Sequence, residues 1–318
     1  YRWHLAGERA WLAVAERDGA LVGSAMVLAG LVAFTLYGLT PEERASDALP
    51  LRKPACALAL IGLVLSGIGM MALIAAMAGT SITAIDRETA QSIIGETAIG
   101  TAWIVRMVAM SGALAFALLL GASPSVARIG LLLSSSLAIA TLVWTGHAGA
   151  SEGWQGTLHR TADVLHMLAA SVWIGGIAAF AWLLFHPVAR QSQPQLAMTH
   201  RALEQFSRVG TLAVGVIIIA GIANSLILMG WPDPARLTGS TYGRLLLAKL
   251  ALFGTMLLLA AVNRWRLTPA LGSAWMTQNT DNAVMGLRRS LLLEGLAALA
   301  ILALVAWLGT LEPLSISE

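Results

Sequence analysis

Charge is what this sequence has least of. Of its 318 residues only 12% are Asp, Glu, Lys or Arg, about half the share of an ordinary soluble domain. Hydrophobic residues make up 57% and the mean hydropathy is +0.75, more apolar material than one globule can enclose, so the chain must face lipid. The excess of positive charge is only +3, and its basic residues lie scattered between apolar blocks without forming a stripe, which excludes a nucleic-acid binder. A single cysteine, Cys56, excludes a disulfide framework and a cysteine metal finger. The loops are equally scarce: the longest run about 20–25 residues, too short for a compact extramembrane domain. No Gly-x-Ser-x-Gly turn and no His-Glu-x-x-His helix is present, and Cys56 has no histidine nearby in sequence, so the hydrolase classes fall away and the expectation is a protein that is not an enzyme. Gly67-x-Gly69-x-x-Ala72 imitates a dinucleotide fingerprint but sits within an apolar block with no strand before it.

What the sequence has in abundance is apolar length. A bilayer core of about 30 Å takes roughly 20 apolar helical residues. Eight blocks meet that length, near Ala20–Leu39, Ala55–Gly79, Thr101–Leu120, Val126–Gly146, Ala162–His186, Val209–Gly230, Gly243–Val262 and Ser290–Gly309. None alternates with a period of two, which argues for helices and against a β-barrel. The expected fold is therefore all-α, one integral-membrane domain over residues 1–318. The first block follows a charged stretch and precedes no small-residue cleavage site, so it reads as a true span and not as a signal peptide. The chain opens on Tyr1 without an initiator Met, which suggests a processed or trimmed start. Residues 80–100 are expected to carry a short interfacial helix ending near Trp103.

Orientation follows the basic residues. Loops after the odd spans hold 11 Lys and Arg, and loops after the second, fourth and sixth hold 4. The odd loops are then cytoplasmic and both termini periplasmic, although Arg2, Arg9 and Arg17 oppose this and are balanced by Glu8, Glu16 and Asp18.

With that orientation His147, His159 and His166 gather at the outer mouth of spans four and five. His159, Asp163 and His166 stand at i, i+4 and i+7, on one helix face. Imidazole is the commonest metal ligand at neutral pH, and a carboxylate one turn away is a usual orienter of such a ring. His159 and His166 lie roughly 10.5 Å apart along the axis, too far for one ion with bonds of about 2 Å. The better pair is His166 with His147, leaving His159 nearer the entrance and Asp163 behind the rings; water-satisfied interfacial histidines are the plainer reading of any one of them alone. Methionines are frequent in the outer halves of the spans, with Met107, Met110 and Met167 at similar depth. Thioether plus imidazole is a soft set that favours Cu(I), although each Met alone reads more simply as a gap filler.

Ionisable groups inside a membrane are expensive and default to function. Arg106 and Lys249 lie one to two turns from the outer face, within snorkelling reach, as gating or positioning charges. Glu294, about one turn inside the inner face beside Arg288 and Arg289, fits an ion pair as well as a functional group. Asn224, near the middle of span six, fits a cross-helix bond or a path lining equally well.

Several segments resemble the CopD family of bacterial copper-resistance membrane proteins. They are Thr97-Ala-Ile-Gly100-Thr-Ala-Trp103-Ile-Val-Arg106, Thr145-Gly-His147-Ala, Leu165-His166-Met-Leu-Ala-Ala-Ser-Val-Trp173-Ile-Gly175-Gly176, and Tyr242-Gly-Arg244-Leu-Leu-Leu-Ala-Lys249-Leu-Ala-Leu-Phe253 running on to Asn263-Arg264. The resemblance covers spans three to seven; the first two spans and the last match only in length and hydrophobicity. It implies eight spans with periplasmic termini, movement of copper across the inner membrane, usually inward, and a periplasmic CopC-like copper protein as donor. No nucleotide-binding segment is present, so the drive would be the copper gradient, the membrane potential or protons. The rival from another class is a b-type cytochrome with His147 and His166 as axial ligands to one outer-leaflet haem b. A copper sensor or assembly partner that does not translocate is the third reading, and homo-oligomerisation stays open.

Overall fold

A computed structural model describes residues 2–46, 49–146, 153–185, 193–231, 234–276 and 281–311, with side chains from residue 19 onward except those of residues 193, 236 and 274–276. Among them there is no strand, and eight helices are long and apolar enough to cross a bilayer. The order is α1 (Arg2–Tyr37), α2 (Pro41–Ala45), α3 (Arg52–Ala78), α4 (Arg87–Glu96), α5 (Ala98–Leu119), α6 (Pro124–Ala140), α7 (Gly153–Phe185), α8 (Gln193–Met229), α9 (Pro234–Gly239), α10 (Thr241–Val262), α11 (Thr268–Met276) and α12 (Asp281–Leu308). All eight expected spans are present. Several helices begin well before their apolar blocks, α7 at Gly153 and α8 at Gln193, because a helix carries its backbone hydrogen bonds with it and need not stop where the lipid does. The segment 80–100 does hold a short helix, but it ends at Glu96. Trp103 belongs to α5, where its indole N–H donates to the Ser66 carbonyl at 3.0 Å.

α7 is the central helix, packed on α1, α6, α8 and α12. Its crossing with α1 is the closest in the bundle: a Cβ added at Gly30 would overlap the Ser171 carbonyl, and one at Gly175 would overlap the Gly30 backbone. Small residues are how membrane helices approach this closely. One core fills the half of the bundle around Phe34, Phe180, Leu183, Leu184 and Leu287, with Phe34 edge-on to Phe180 at 5.1 Å and Phe180 to Phe206 at 5.5 Å. A second joins α7, α8, α10 and α12 around Trp173, Ile177, Ile217, Met256 and Ala297. Between α10 and α11 the chain makes a π-helical turn over Asn263–Leu267.

The end of the bundle where α1 stops and α8 starts is laced by arginines. Thr40 and Glu43 close a capping box on α2, and Arg201 of α8 bonds the Glu43 carboxylate. Arg128 donates to the Arg44 carbonyl at 2.8 Å, Arg264 to the Thr211 hydroxyl at 2.6 Å, and Arg288 to the Leu184 carbonyl at 2.8 Å.

Candidate metal centre

α7 carries His159, Asp163 and His166 toward its Gly153 end, as the spacing requires. The decisive contact is across to α8, where His166 Nδ1 stands 3.0 Å from the Ile217 carbonyl. A carbonyl can only accept, so Nδ1 holds the proton and the lone pair of the neutral ring lies on Nε2. That is the arrangement in which a backbone oxygen fixes the tautomer and aim of a metal-binding imidazole. Gly221 lies one turn beyond Ile217, and a Cβ there would come within 3.4 Å of His166 Cε1. The orienter expected for this ring was Asp163; the observed one is the Ile217 main chain, a group that no side-chain pattern advertises.

Asp163 is held instead by α8 one turn further along, its Oδ1 accepting from Asn224 Nδ2 at 3.2 Å. Ile217, Gly221 and Asn224 thus repeat at i, i+4 and i+7 and face the matching stripe of α7. Of that repeat only Asn224 stands out in the sequence, because it alone is polar. Lys249 of α10 comes within electrostatic range of both His166 and Asp163. Two spans therefore bring together an imidazole, a carboxylate and a carboxamide, with the Lys249 side chain of a third in electrostatic reach.

The remaining candidates are distributed differently. His159 is only 4% exposed, enclosed by protein and not open at the surface. Arg106 is also 4% exposed, so its guanidinium is enclosed within the bundle and does not snorkel to the outer face. Met110 is fully buried in a cluster with Met26, Ala109 and Ile139, and Met167 packs against the same cluster. These thioethers occupy the α1, α5 and α6 side of α7, and the His166 ring occupies the α8 side. Met107 is half-buried. Glu294, 3% exposed, accepts from Asn263 Nδ2 and from the Ser290 hydroxyl, while Arg288 of the expected ion pair donates to Leu184. His147 and His186 lie outside the described residues. Among the described residues no three His, Cys, Asp or Glu converge on one point. A neutral imidazole with its lone pair exposed on Nε2 and thioethers in the next interface is a donor chemistry that suits copper.

Eight apolar helices, with His166 and Asp163 of α7 held by α8 and Lys249 of α10 within electrostatic reach, define a multi-pass membrane protein. Residues 9–157 match the family pattern described as Copper resistance protein D-like, N-terminal domain, and residues 200–308 that of Copper resistance protein D. The Copper resistance protein D of Pseudomonas syringae pv. tomato is 39% identical over 298 residues, covering 92% of this chain and 94% of that protein. The chain belongs to the copper resistance protein D family. Inner membrane protein YebZ of Escherichia coli K12 is 28% identical over 251 residues, 79% of this chain and 81% of its own. Copper transport protein CutJ of Bacillus subtilis 168 is 34% identical over 141 residues, 44% of this chain but only 24% of that protein. No solved structure matches the chain. The protein is thus a copper-related, multi-pass protein of the inner membrane.

Proposed function

We propose that the chain receives copper at its periplasmic face and moves it inward across the membrane. His166 and His147 are the primary ligands in this reading, with His159 on the way in and Asp163 behind the rings. Met167, Met107 and Met110 offer thioethers that hold the ion as Cu(I). Arg106, Lys249 and Asn224 position the site. Lys249 would repel an arriving cation were its charge not offset by Asp163, which makes the two a matched pair and not a ligand set. The donor is a periplasmic copper-binding protein of the CopC kind, and both termini of the chain lie on that side.

The observation that carries the reading is the bond between His166 Nδ1 and the Ile217 carbonyl, which leaves Nε2 free to coordinate. The test is elemental analysis of detergent-purified protein from copper-supplemented cells, wild type against His166→Ala and the His147→Ala/His166→Ala double variant. Copper at about one or more per chain, reduced in the single variant and lost in the double, is the expected result. Iron in its place, with the intense visible absorption of a haem, would sink the copper assignment in favour of a b-type cytochrome. Uptake of copper by sealed vesicles then separates a carrier from a sensor that only binds.

A further inference from the structure

We infer that Glu294 and Asn263 form a proton-binding site in the arginine-rich half of the bundle, in which a protonated carboxyl and a carboxamide pair side by side. The first observation is the set of partners. Glu294 is buried on α12 and accepts from Asn263 Nδ2 and, at 3.5 Å, from Ser290 Oγ. The Trp173 indole of α7 is its third neighbour. All three are neutral, so an ionised carboxylate here would have no counter-cation, a costly arrangement inside a membrane. The second observation is the half-used amide. Asn263 Oδ1 is buried with no hydrogen-bond partner, and a buried acceptor left unmet costs free energy. Both bonds from Asn263 and Ser290 fall on Glu294 Oε1, which leaves Oε2 to carry a proton. The acid so formed presents one donor and one acceptor, the complement of an amide edge. Its O–H donates to Asn263 Oδ1 while Nδ2–H continues to donate to Oε1, and the orphan acceptor is satisfied. The third observation is the backbone. Asn263 is the first residue of the π-helical turn, and such turns are rare and concentrate at functional sites.

The charged groups of the elements packed on α12 are engaged elsewhere or lie far along the bundle. On the π turn Arg264 bonds the Ser207 carbonyl and the Thr211 hydroxyl, and Arg266 is exposed. On α12 itself Arg288 bonds Leu184, and Arg289 and Asp281 are exposed. The described side chains of α1 include one titratable group, Tyr37, and α11 contains none. Lys249 of α10 stands fourteen residues before Asn263, roughly 21 Å along the helix. On α7, His166 lies seven residues from Trp173, roughly 10 Å nearer the other end. The nearest ionisable layer is thus the one around His166, about two helical turns away.

Loading is a simple transfer: the Glu294 carboxylate takes a proton from water reaching it from the arginine-rich end, and its negative charge is neutralised. Release returns the proton to water, and no electron moves. The inference does not depend on copper, and its test uses the metal-free protein. Full-length protein is reconstituted in lipid and followed by infrared difference spectroscopy as the buffer pH is stepped. Wild type should show a protonated-carboxyl C=O stretch that grows on acidification and shifts in heavy water. Glu294→Gln, which keeps an amide-to-amide pair and hence the packing, should lose that band. Asn263→Leu should retain the band but move its frequency. A pH series in which wild type and Glu294→Gln give the same spectrum overturns the site. A Glu294-dependent band indifferent to both pH and heavy water overturns it too, since the group would then be a sealed structural acid. An unmoved band in Asn263→Leu overturns the pairing.

Discussion

At the scale of single residues, the aim of His166 depends on a neighbour with no side chain. Gly221 leaves the ring room beside the Ile217 carbonyl, and a Cβ at 3.4 Å is ordinary contact. Gly221→Ala should therefore keep copper binding nearly intact. Gly221→Leu would occupy the space of the ring and break its hydrogen bond to α8, and loss of such an outer contact typically weakens metal binding about 10–100-fold. Competition with a chromophoric copper chelator measures both variants, and wild-type affinity in Gly221→Leu would remove orientation from the argument. A second residue-scale expectation concerns Glu43, outside the spans. Partial burial pushes its carboxyl up, but the hydrogen bond from Arg201 and the Thr40 backbone N–H outweigh this and hold it below the ordinary value. Since the folded-state value is the lower one, the pairing stabilises the fold above the unfolded carboxyl pKa of about 4.3. That stabilisation fades as pH falls through the folded value. Thermal unfolding in detergent at decreasing pH should show a loss of stability in wild type that is smaller in Glu43→Gln.

At the scale of helices, the α1–α7 crossing sets how the two sides of the bundle meet. Gly30 and Gly175 touch backbone to backbone, so neither can gain a methyl group without separating two helices that share the largest core. Overpacking of this kind costs about 1–3 kcal/mol where neighbours can shift, and more where only backbone is available to move. Gly30→Val and Gly175→Val should each lower the melting temperature markedly. Gly215→Ala, where a Cβ meets nothing within 4 Å, should leave it close to wild type. The spans themselves were legible because lipid demands a fixed apolar length, and that demand is written residue by residue. The polar starts of α7 and α8 were not, since water tolerates helix and loop alike and leaves no hydropathy signature. The π turn at Asn263-Arg-Trp-Arg-Leu contains neither Pro nor Gly to betray it. In the site, the His159–Asp163–His166 stripe and Asn224 were visible as polar residues in apolar surroundings. The Ile217 carbonyl and the union of Asn263 with Glu294 were not, because one is main chain and the other joins helices through no local pattern.

At the scale of the whole molecule, the two ends of the bundle differ in what they can hold. One end has Arg44, Arg128, Arg201, Arg264 and Arg288 tied to carbonyls, hydroxyls and a carboxylate across several helices. The other has α4, whose first turn is capped by Asp86 with Thr89 N–H at 2.8 Å, and the approach to His159. Basic residues stay where the chain is synthesised, and on that rule we propose that the arginine-laced end faces the cytoplasm, with the polar layer around His166 nearer the periplasm. An ion entering from outside then meets His159 and His166 before it comes within two helical turns of Glu294. Reversing the orientation would reverse that sequence and make the same side chains an export path. The disposition of the ends is therefore the measurement on which direction rests. With Cys56 replaced by Ser, single cysteines introduced as Glu88→Cys on α4 and Glu204→Cys on α8 occupy exposed positions at opposite ends. A membrane-impermeant maleimide applied to intact cells should label the Glu88→Cys protein and spare the Glu204→Cys protein until the membrane is opened. The opposite pattern would turn the bundle over, and with it the inward direction proposed for copper.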